Sequence, residues 1–291
     1  MQNLDRRQFL IRAASIGAGF TLAGRLHTAE AAEDSNSQTP FCFCVIADPH
    51  CSEAPSKGLE KEGTGLDRFF KAINAIKQLP EEDKPDFTLL LGDLHIDALT
   101  SRLPEVAIPL HATPGNHEAD QEKRKALRAL FSGDFTIDGK ESDYYSFVHK
   151  GVRFISMCDA GKGGEHVGQL CSENITPSGQ CEWLERELSA PEPGKILFSH
   201  IPPEPNGQDR NMYLSCNDSR WFNALVQEKQ PTAMFFGHLH NATAEYAIGK
   251  TRVFTVRSSC WNSGKAPIGF MHVRMTTDGI QMREIETGRC E

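Results

Sequence analysis

Residues 41–50 read FCFCVIADPH and residues 86–93 read DFTLLLGD, so that in both places a short apolar run leads directly into a polar residue. Runs of this length that are rich in Phe, Val, Ile and Leu are typical of buried β-strands. Between them, apolar residues from Leu66 to Leu79 recur at helical spacing, and Pro80 closes that segment. The order strand, helix, strand predicts an α/β fold with a layered core.

The rest of the chain continues this alternation and becomes strand-rich toward its end. Residues 106–112 are predicted to form the third strand, and residues 179–188 and 219–230 are predicted to form helices. No internal repeat and no second domain boundary is apparent, so we expect one domain over residues 41–291. The further predicted strands cover residues 195–199, 232–236, 242–248, 252–257 and 269–275.

The charge balance restricts the classes of partner. The chain of 291 residues carries 31 Lys and Arg against 39 Asp and Glu, which gives a formal net charge of −8. A net negative charge disfavours non-specific binding to nucleic acids and to anionic membranes. We therefore expect no nucleic-acid partner.

Polar residues follow five of the predicted strands, at the point where each strand ends. A single Asp or His in such a place is usually a helix cap or part of a turn. In an α/β sheet, however, the strand ends meet at one edge, and five such loops together predict a single site. The five blocks are Asp48-Pro49-His50, Gly92-Asp93, Gly115-Asn116-His117-Glu118, Ser199-His200 and Gly237-His238-Leu239-His240.

The residue types in these blocks favour metal binding. Imidazole nitrogens with carboxylate and amide oxygens suit Zn, Mn, Fe or Co, and seven such groups exceed the needs of one ion. Two ions are therefore predicted, with Asp93 as the candidate bridge because a carboxylate offers two oxygens. The Asp-x-His and His-x-His spacings are expected to place residues i and i+2 on the same side of an extended strand end. Gly92, Gly115 and Gly237 fit tight turns beside these residues.

Taken in order, the five blocks resemble the pattern of the calcineurin-like metallophosphoesterases, which is D-x-H, G-D, G-N-H-E, a His and G-H-x-H. The resemblance implies a four-layer α/β/β/α sandwich of two mixed sheets flanked by helices. It also implies a hydrolase that cleaves a small phosphate mono- or diester by attack of a metal-activated hydroxide. The ions would be two divalent or mixed-valence ions of Mn, Fe, Zn or Co.

The resemblance also assigns a role to each residue of the blocks. His117 is then the imidazole that binds no metal and either stabilises developing charge or protonates the leaving oxygen. One ion would be held by Asp48, His50, Asp93 and His240, and the other by Asp93, Asn116, His200 and His238.

Several alternatives stay open at this point. A non-catalytic metal- or phosphate-binding protein on the same fold and a two-metal amide or peptide hydrolase would use the same ligands. Among phosphoesterases, the substrate could be a monoester, a diester, a cyclic nucleotide or a pyrophosphate. Glu118 is either a carboxylate that fixes a ring orientation or an acid at a helix start. His95 and His111 are interpreted as packing residues outside the site.

The first 31 residues resemble a twin-arginine signal peptide. Arg6 and Arg7 precede an apolar run over residues 13–24, and Ala29-Glu30-Ala31 fits a small-x-small cleavage site. This run is shorter than the ~20 residues that span a bilayer, so no stable membrane anchor is expected after cleavage. An uncleaved segment retained as an anchor is the alternative. We predict a signal peptide over residues 1–31, a linker over residues 32–40, and export to the periplasm or another exported location by the twin-arginine (Tat) translocon.

Cysteine usage leaves the disulfide pattern open. All nine cysteines lie after residue 41, and an odd number means that at least one cannot pair within a monomer. Cys42 and Cys44 alternate with Phe along one predicted strand, where neighbouring residues of one face rarely bridge. We therefore interpret these two as core residues and assign no pairing.

Overall fold

The computed structural model describes residues 40–55, 57–160 and 165–289. The predicted signal peptide, and the predicted linker up to residue 39, lie outside these ranges. Within them, no helix has both the length and the apolar character needed to cross a membrane.

Strands and helices alternate through most of the described chain, and its end is rich in strands. The helices are α1 (Gly65–Lys77), α2 (Ile96–Thr100), α3 (Gln121–Leu130), α4 (Gln180–Leu188) and α5 (Cys216–Lys229). The strands are β1 (Phe41–Ala47), β2 (Phe87–Leu91), β3 (Leu110–Thr113), β4 (Thr136–Ile137), β5 (Lys140–Glu141), β6 (Tyr145–His149), β7 (Val152–Ser156), β8 (Gly194–Phe198), β9 (Ala233–Phe236), β10 (Ala244–Ile248), β11 (Thr251–Thr255), β12 (Ile268–Thr276) and β13 (Gly279–Gly288).

Two mixed sheets form the centre of the molecule. The first has the strand order β13-β12-β1-β2-β3, in which β1, β2 and β3 run parallel and β12 is antiparallel to both of its neighbours. The second has the order β10-β11-β9-β8-β7-β6, with a parallel centre and an antiparallel strand at each edge. Parallel neighbours present their carboxyl ends on the same side, so the loops after β1, β2, β3, β8 and β9 can share one site.

The inner faces of the two sheets pack against each other through aromatic side chains. The ring of Phe43 on β1 lies 5.3 Å from that of Phe154 on β7 and 5.9 Å from that of Phe235 on β9, both edge-on. Such pairs are favourable beyond the area they bury. This contact fixes the strand ends of one sheet relative to those of the other.

Helices cover the outer faces. The apolar side of α1, including Phe69 and Ile73, is buried in the cluster that contains β1 and β2. On the other side, Trp183 of α4 and Phe222 of α5 join a second cluster with Leu197 of β8. The four-layer α/β/β/α arrangement is therefore confirmed.

Element boundaries differ from the sequence-based expectation in a few places. Strand β3 begins at Leu110 rather than Val106, because Leu103–Glu105 form a 3-10 turn and Pro109 has no N–H to donate to a sheet. Helix α5 begins three residues early, since the Ser215 side chain accepts the backbone N–H of Asp218 and caps it. The sequence analysis does not predict strands β4, β5, β6, β7 and β13. In β13, charged residues and partial exposure obscure the apolar pattern.

Among the cysteines within residues 40–289, one pair that the sequence did not indicate is joined. A disulfide joins Cys171 to Cys181 at the start of α4. Cys42 and Cys44 are buried and unpaired, as predicted. The core position of these two thiols follows from the position of β1 between β12 and β2.

Candidate metal centre

The structure brings the seven candidate ligands together at the edge where the strands of both sheets end. Nε2 of His50 lies 3.0 Å from Nε2 of His240, although 190 residues separate them in sequence. Nε2 of His200 lies 2.9 Å from Oδ1 of Asn116 and 3.1 Å from Nδ1 of His238. Six of the seven side chains come from loops after β1, β2, β8 and β9, and Asn116 comes from the loop after β3.

Asp93 lies between two groups of potential ligands. Its Oδ2 is 3.5 Å from Nε2 of His50 and 3.3 Å from Nε2 of His200. The first group that could hold an ion contains Asp48, His50, Asp93 and His240, and the second contains Asp93, His200 and His238. These groups match the two sets that the resemblance implied, with Asn116 beside the second; the roles as ligands stay a prediction.

The residues that carry these side chains have a left-handed backbone conformation and do not lie at extended strand ends. The φ angles are 47° at Asp48, 40° at His50, 53° at Asp93, 68° at His238 and 46° at His240. The expectation of an extended Asp-x-His and His-x-His segment is therefore wrong, because both motifs follow the last residue of their strand. Positive φ is costly for residues other than glycine and concentrates at functional sites.

The donor set fits a cation, as the hydrogen bonds of the imidazoles show. His200 donates from Nδ1 to the carbonyl oxygen of Leu91 at 2.7 Å, and His240 donates from Nδ1 to that of Trp261 at 2.8 Å. In a neutral ring, the other nitrogen then carries a lone pair. On His200 that lone pair faces the oxygens of Asn116 and Asp93, which are acceptors too. Acceptors that face one another need a positive charge between them, and one or more metal ions would supply it.

The electrostatics of the buried groups point the same way. Asp48 and His200 are fully buried and Asp93 nearly so. Burial alone would lower the pKa of His200, but the Asp93 carboxylate raises it to about 10. Burial alone would raise the pKa of Asp93, but His200 and His50 hold it well below its usual range. The centre thus favours ionised carboxylates and concentrated positive charge.

Two of the imidazoles are held neutral. Burial lowers the pKa of His50 to about 4, and burial together with neighbouring His200 lowers that of His238 to about 3. Neutral imidazole is the form that binds metal. Both rings are therefore available as ligands near neutral pH.

Two glycines allow close approach to the carboxylates. A Cβ on Gly115 would lie 2.2 Å from Oδ1 of Asp93, and a Cβ on Gly237 would lie 2.5 Å from Oδ2 of Asp48. Gly115 has φ −104°, so its requirement is space and not a left-handed turn. The turn interpretation holds for Gly92 alone of the three, since its φ is 77°.

Glu118 supports the Asp93 loop through backbone hydrogen bonds. Its buried carboxylate accepts the N–H groups of Asp93 and Gly115 on Oε2, and those of Leu94 and His95 on Oε1, all at 2.9–3.1 Å. Burial and the nearby Asp93 carboxylate raise the pKa of Glu118 to about 7. The alternative of an acid at a helix start is confirmed, because Glu118 closes the 3-10 turn Asn116–Glu118 and accepts the N–H of its N-cap, Gly115. The other alternative is wrong, because the carboxylate fixes a backbone loop and not a ring.

His117 lies at the open side of the centre. Its backbone N–H donates to Oδ1 of Asp93 at 2.9 Å, and its ring Nε2 is 3.9 Å from Oδ2 of the same carboxylate. The side chain is 42% exposed, so it can reach a bound molecule. His111 is a packing residue as expected, since it pairs with Asp134 and stacks on Phe147.

The placement of His95 corrects the sequence interpretation. Its ring lies between those of His50 and His117, with Nε2 at 3.2 Å from Nδ1 of the first and 3.1 Å from Nδ1 of the second. His95 therefore belongs to the site. Its position two residues after Asp93 was the available signal, which the apolar neighbours Leu94 and Ile96 obscured.

Other supporting residues carried no local signal in the sequence. Oδ2 of Asp159 accepts the N–H groups of His200 and Ile201 at 3.1 and 2.7 Å, and burial raises the pKa of Asp159 to about 6. The carbonyl oxygen of His166 accepts Nε2–H of His238 at 3.2 Å. Asp159 and His166 lie at least 41 residues from the groups that they contact, so these pairings arise only in the folded chain.

Two cavities adjoin the centre. One of about 170 Å³ is lined by the candidate ligands together with His117, Met212 and Trp261. The other, of about 470 Å³, lies beyond His117 and is lined also by His95, Asp97 and Lys123. A molecule held against the ligands can thus extend past His117 into a larger space.

Comparison with known proteins agrees with this geometry. The profile of the family described as calcineurin-like phosphoesterase matches residues 43–242. A protein of Rhodococcus erythropolis named as a probable cyclic nucleotide phosphodiesterase is 29% identical over 61% of this chain and 58% of its own length. A Mycobacterium tuberculosis protein named as a cAMP/cGMP dual specificity phosphodiesterase is 29% identical over 46% of this chain and 39% of its own length. The chain thus spans less than two thirds of either relative.

Among solved structures, a dimetal phosphatase from Danio rerio has the same fold. It superposes with a TM-score of 0.61 and 17% identity, over 85% of this chain and 96% of that one. At this identity the likeness concerns the fold alone.

Proposed function

The chain belongs to the calcineurin-like phosphoesterase family, and on that premise we propose that it hydrolyses phosphate mono- or diesters with the help of two metal ions. One observation carries the proposal. The lone pairs of two separate ligand groups converge on either side of Asp93, a carboxylate that belongs to both groups. A binding protein for one cation would not need this shared arrangement.

The side chains of the site have distinct parts in this reaction. Asp48, His50, Asp93 and His240 would hold one ion, and the second would be held by the group that His200, His238 and Asn116 form with Asp93. When bound, such a pair neutralises phosphate oxygens and lowers the pKa of water.

His117 would act on the leaving group. Its ring lies at the open side of the centre, between the small cavity over the ligands and the larger cavity beyond. A leaving oxygen that sits between these cavities is within reach of its Nε2. Proton donation by a positioned imidazole contributes about 10²- to 10⁴-fold to a rate.

Cyclic nucleotides are the first substrates to test. Two matching relatives carry that activity in their names. The cavity beyond His117 has about 470 Å³, which is within the usual range for small-molecule sites. We propose a diester of this kind as the substrate class, with simple monoesters as the alternative.

The test is turnover by the purified full chain loaded with Mn²⁺ or Zn²⁺. The panel contains bis-p-nitrophenyl phosphate, p-nitrophenyl phosphate and 3′,5′-cyclic AMP. We expect chelator-sensitive hydrolysis that falls about a thousandfold or more in Asp93→Asn, because the variant loses the shared charge of both ion groups. Asp278→Asn, in the exposed turn between β12 and β13, is the matched control and should retain full activity.

Two bound ions without turnover of any ester in the panel would reject the enzyme proposal. That result would favour the non-catalytic metal- or phosphate-binding alternative. Hydrolysis of amides or peptides but of no phosphoester would instead select the second alternative.

We further propose that the protein is exported through the twin-arginine translocon and works outside the cytoplasm. The Arg6-Arg7 motif with its apolar run supports this, and so does the Cys171–Cys181 disulfide, because disulfides persist in oxidising compartments. The measurement is cell fractionation of the native host. Replacing Arg6 and Arg7 by Lys should retain the chain in the cytoplasm; an unchanged distribution would reject the route.

A further inference from the structure

We propose that His95 is a positioning residue that holds both a metal ligand, His50, and the leaving-group imidazole, His117, through a single acceptor nitrogen. The inference rests on the proposed function, since it concerns how that site donates a proton. The carrying observation is a chain of side-chain contacts that runs from Ser52 through His95 to both rings.

The contacts place one nitrogen of His95 against two other rings. Nε2 lies 3.2 Å from Nδ1 of His50 and 3.1 Å from Nδ1 of His117. Nδ1 of His95 contacts the hydroxyl of Ser52 on its other side. The ring of His95 is thus bonded at both of its nitrogens.

The candidate metal ligand His50 determines which ring nitrogens of His50 and His95 carry protons. Nε2 of His50 faces Asp93 and His240, so it must keep its lone pair free for an ion. The proton of a neutral His50 is then on Nδ1, which donates to Nε2 of His95. It follows that His95 carries its own proton on Nδ1 and donates it to Ser52.

The same acceptor orients His117. Two lone pairs facing at 3.1 Å would repel, so Nδ1 of His117 also carries a proton. The N–H groups of His50 and His117 then share the one lone pair of His95 Nε2 in a three-centre hydrogen bond. The ring is then fixed with Nε2 toward Asp93 and the ligand cavity. An additional proton on Nε2 is the one that can pass to a leaving oxygen, and His117 keeps its Nδ1 proton on His95 throughout.

The backbone holds His95 where this arrangement needs it. Its φ is 54°, in the left-handed region, and its N–H donates to the carboxylate of Glu118 at 3.1 Å. The Glu118 bonds that fix Asp93 therefore fix His95 as well. Through this loop the position of a ligand and the position of the proton donor are coupled.

A third metal ion on these imidazoles is the competing interpretation. His50, His95 and His117 do offer three nitrogens close together. Such an ion would need Nδ1 of His50 while Nε2 binds another ion, which requires a fully deprotonated ring. Donation of one N–H to a neighbouring acceptor is the usual second contact of a metal-bound histidine.

The experiment compares His95→Ala, His95→Gln and His149→Gln in the metal-loaded full chain. In His95→Gln, the terminal amide of the new side chain lies near the former position of Nε2, and its oxygen can restore the acceptor. His149 bonds to Asp86, at the opposite end of β2 from Asp93, and is the matched control. Each variant is assayed with p-nitrophenyl and phenyl esters of the same phosphate type, and its metal content is measured.

We expect His95→Ala to lose about 10- to 100-fold in kcat for the phenyl ester, whose poor leaving group needs a proton. The loss for the p-nitrophenyl ester should be less than about fivefold, with KM unchanged for both. His95→Gln should recover activity to within about threefold of wild type, and His149→Gln should match wild type. All variants should keep two ions per chain.

Equal losses for both esters would overturn the proposal, as would a wild-type content of three ions that falls to two in His95→Ala. Long-range ¹H–¹⁵N correlation spectra of the zinc-loaded protein give a readout independent of activity. They should show His95 protonated at Nδ1, and protonation at Nε2 alone would contradict the assignment. Failure of wild-type turnover with this tautomer present would reject the proposed function and leave the hydrogen-bond arrangement standing.

Discussion

The two halves of the centre are supported in different ways. The first half contains the candidate ligands that follow strands of the first sheet, Asp48, His50, Asp93 and Asn116. Its Asp93 loop is held by the four hydrogen bonds of Glu118. The second half contains those that follow strands of the second sheet, His200, His238 and His240. Its His200 and His238 are supported by Asp159 and by the carbonyl oxygen of His166, two residues that lie between β7 and α4.

The two halves differ in how many hydrogen bonds their supporting carboxylates, Glu118 and Asp159, accept. Both oxygens of Glu118 accept two N–H groups each, whereas Oδ1 of Asp159 finds no hydrogen-bond partner in the part of the chain that the structure describes. The segment that carries Asp159 contains no helix or strand within its described residues. Segments of this kind open at lower free energy than packed strands. We therefore expect the second half to loosen before the first.

Glu118→Ala should have the larger effect. It leaves three buried N–H groups and the partly buried N–H of His95 without an acceptor, and we expect a loss of about 3 kcal/mol or more in the free energy of unfolding. For a chain of this size, that corresponds to a decrease in Tm of roughly 10 °C. Thermal unfolding and metal content check the prediction, and both ions should be lost because Asp93 belongs to both groups.

Glu122→Ala is the matched control for this change. Glu122 is exposed on α3, four residues along the chain, and its replacement should leave Tm within about 1 °C. If Glu118→Ala were as stable as this control, the Asp93 loop would not depend on its carboxylate. The contrast between the two halves would then disappear.

Gln180→Ala should have a smaller and more local effect. The buried Gln180 side chain accepts the N–H of Cys158 and donates to the carbonyl oxygens of Cys158 and Leu170, at 2.7–2.9 Å. Its removal should cost about 2 kcal/mol. Hydrogen exchange should accelerate over residues 157–179, while the loop from Asp93 to His95 stays protected.

The control is Gln227→Ala, at an exposed position on α5. It should change the hydrogen-exchange rate neither in residues 157–179 nor in the loop from Asp93 to His95. Faster exchange in both the 157–179 segment and the Asp93 loop would show that the halves open together. In that case the first half of the centre would depend on Gln180 as much as the second half does.

Much of this molecule could be predicted from its sequence because the determining features are local. The apolar run of β1, the helical spacing of α1 and the polar residues after the strands are all set by neighbours in the chain. Glu118 was visible in the same way, since it lies in one block with Asn116 and His117. What it binds was not visible, because its partners are backbone groups of a different loop.

The order of polar blocks along the chain thus determined which side chains could form a site. Tertiary structure alone decided how they are aimed and supported. The left-handed φ angles at Asp48, Asp93 and His238, and the place of His95 between two rings, are stable only because packed strands of two sheets enforce them. Residue type and spacing predict neither the φ angles nor the position of His95, because both arise from contacts between residues that lie far apart in sequence.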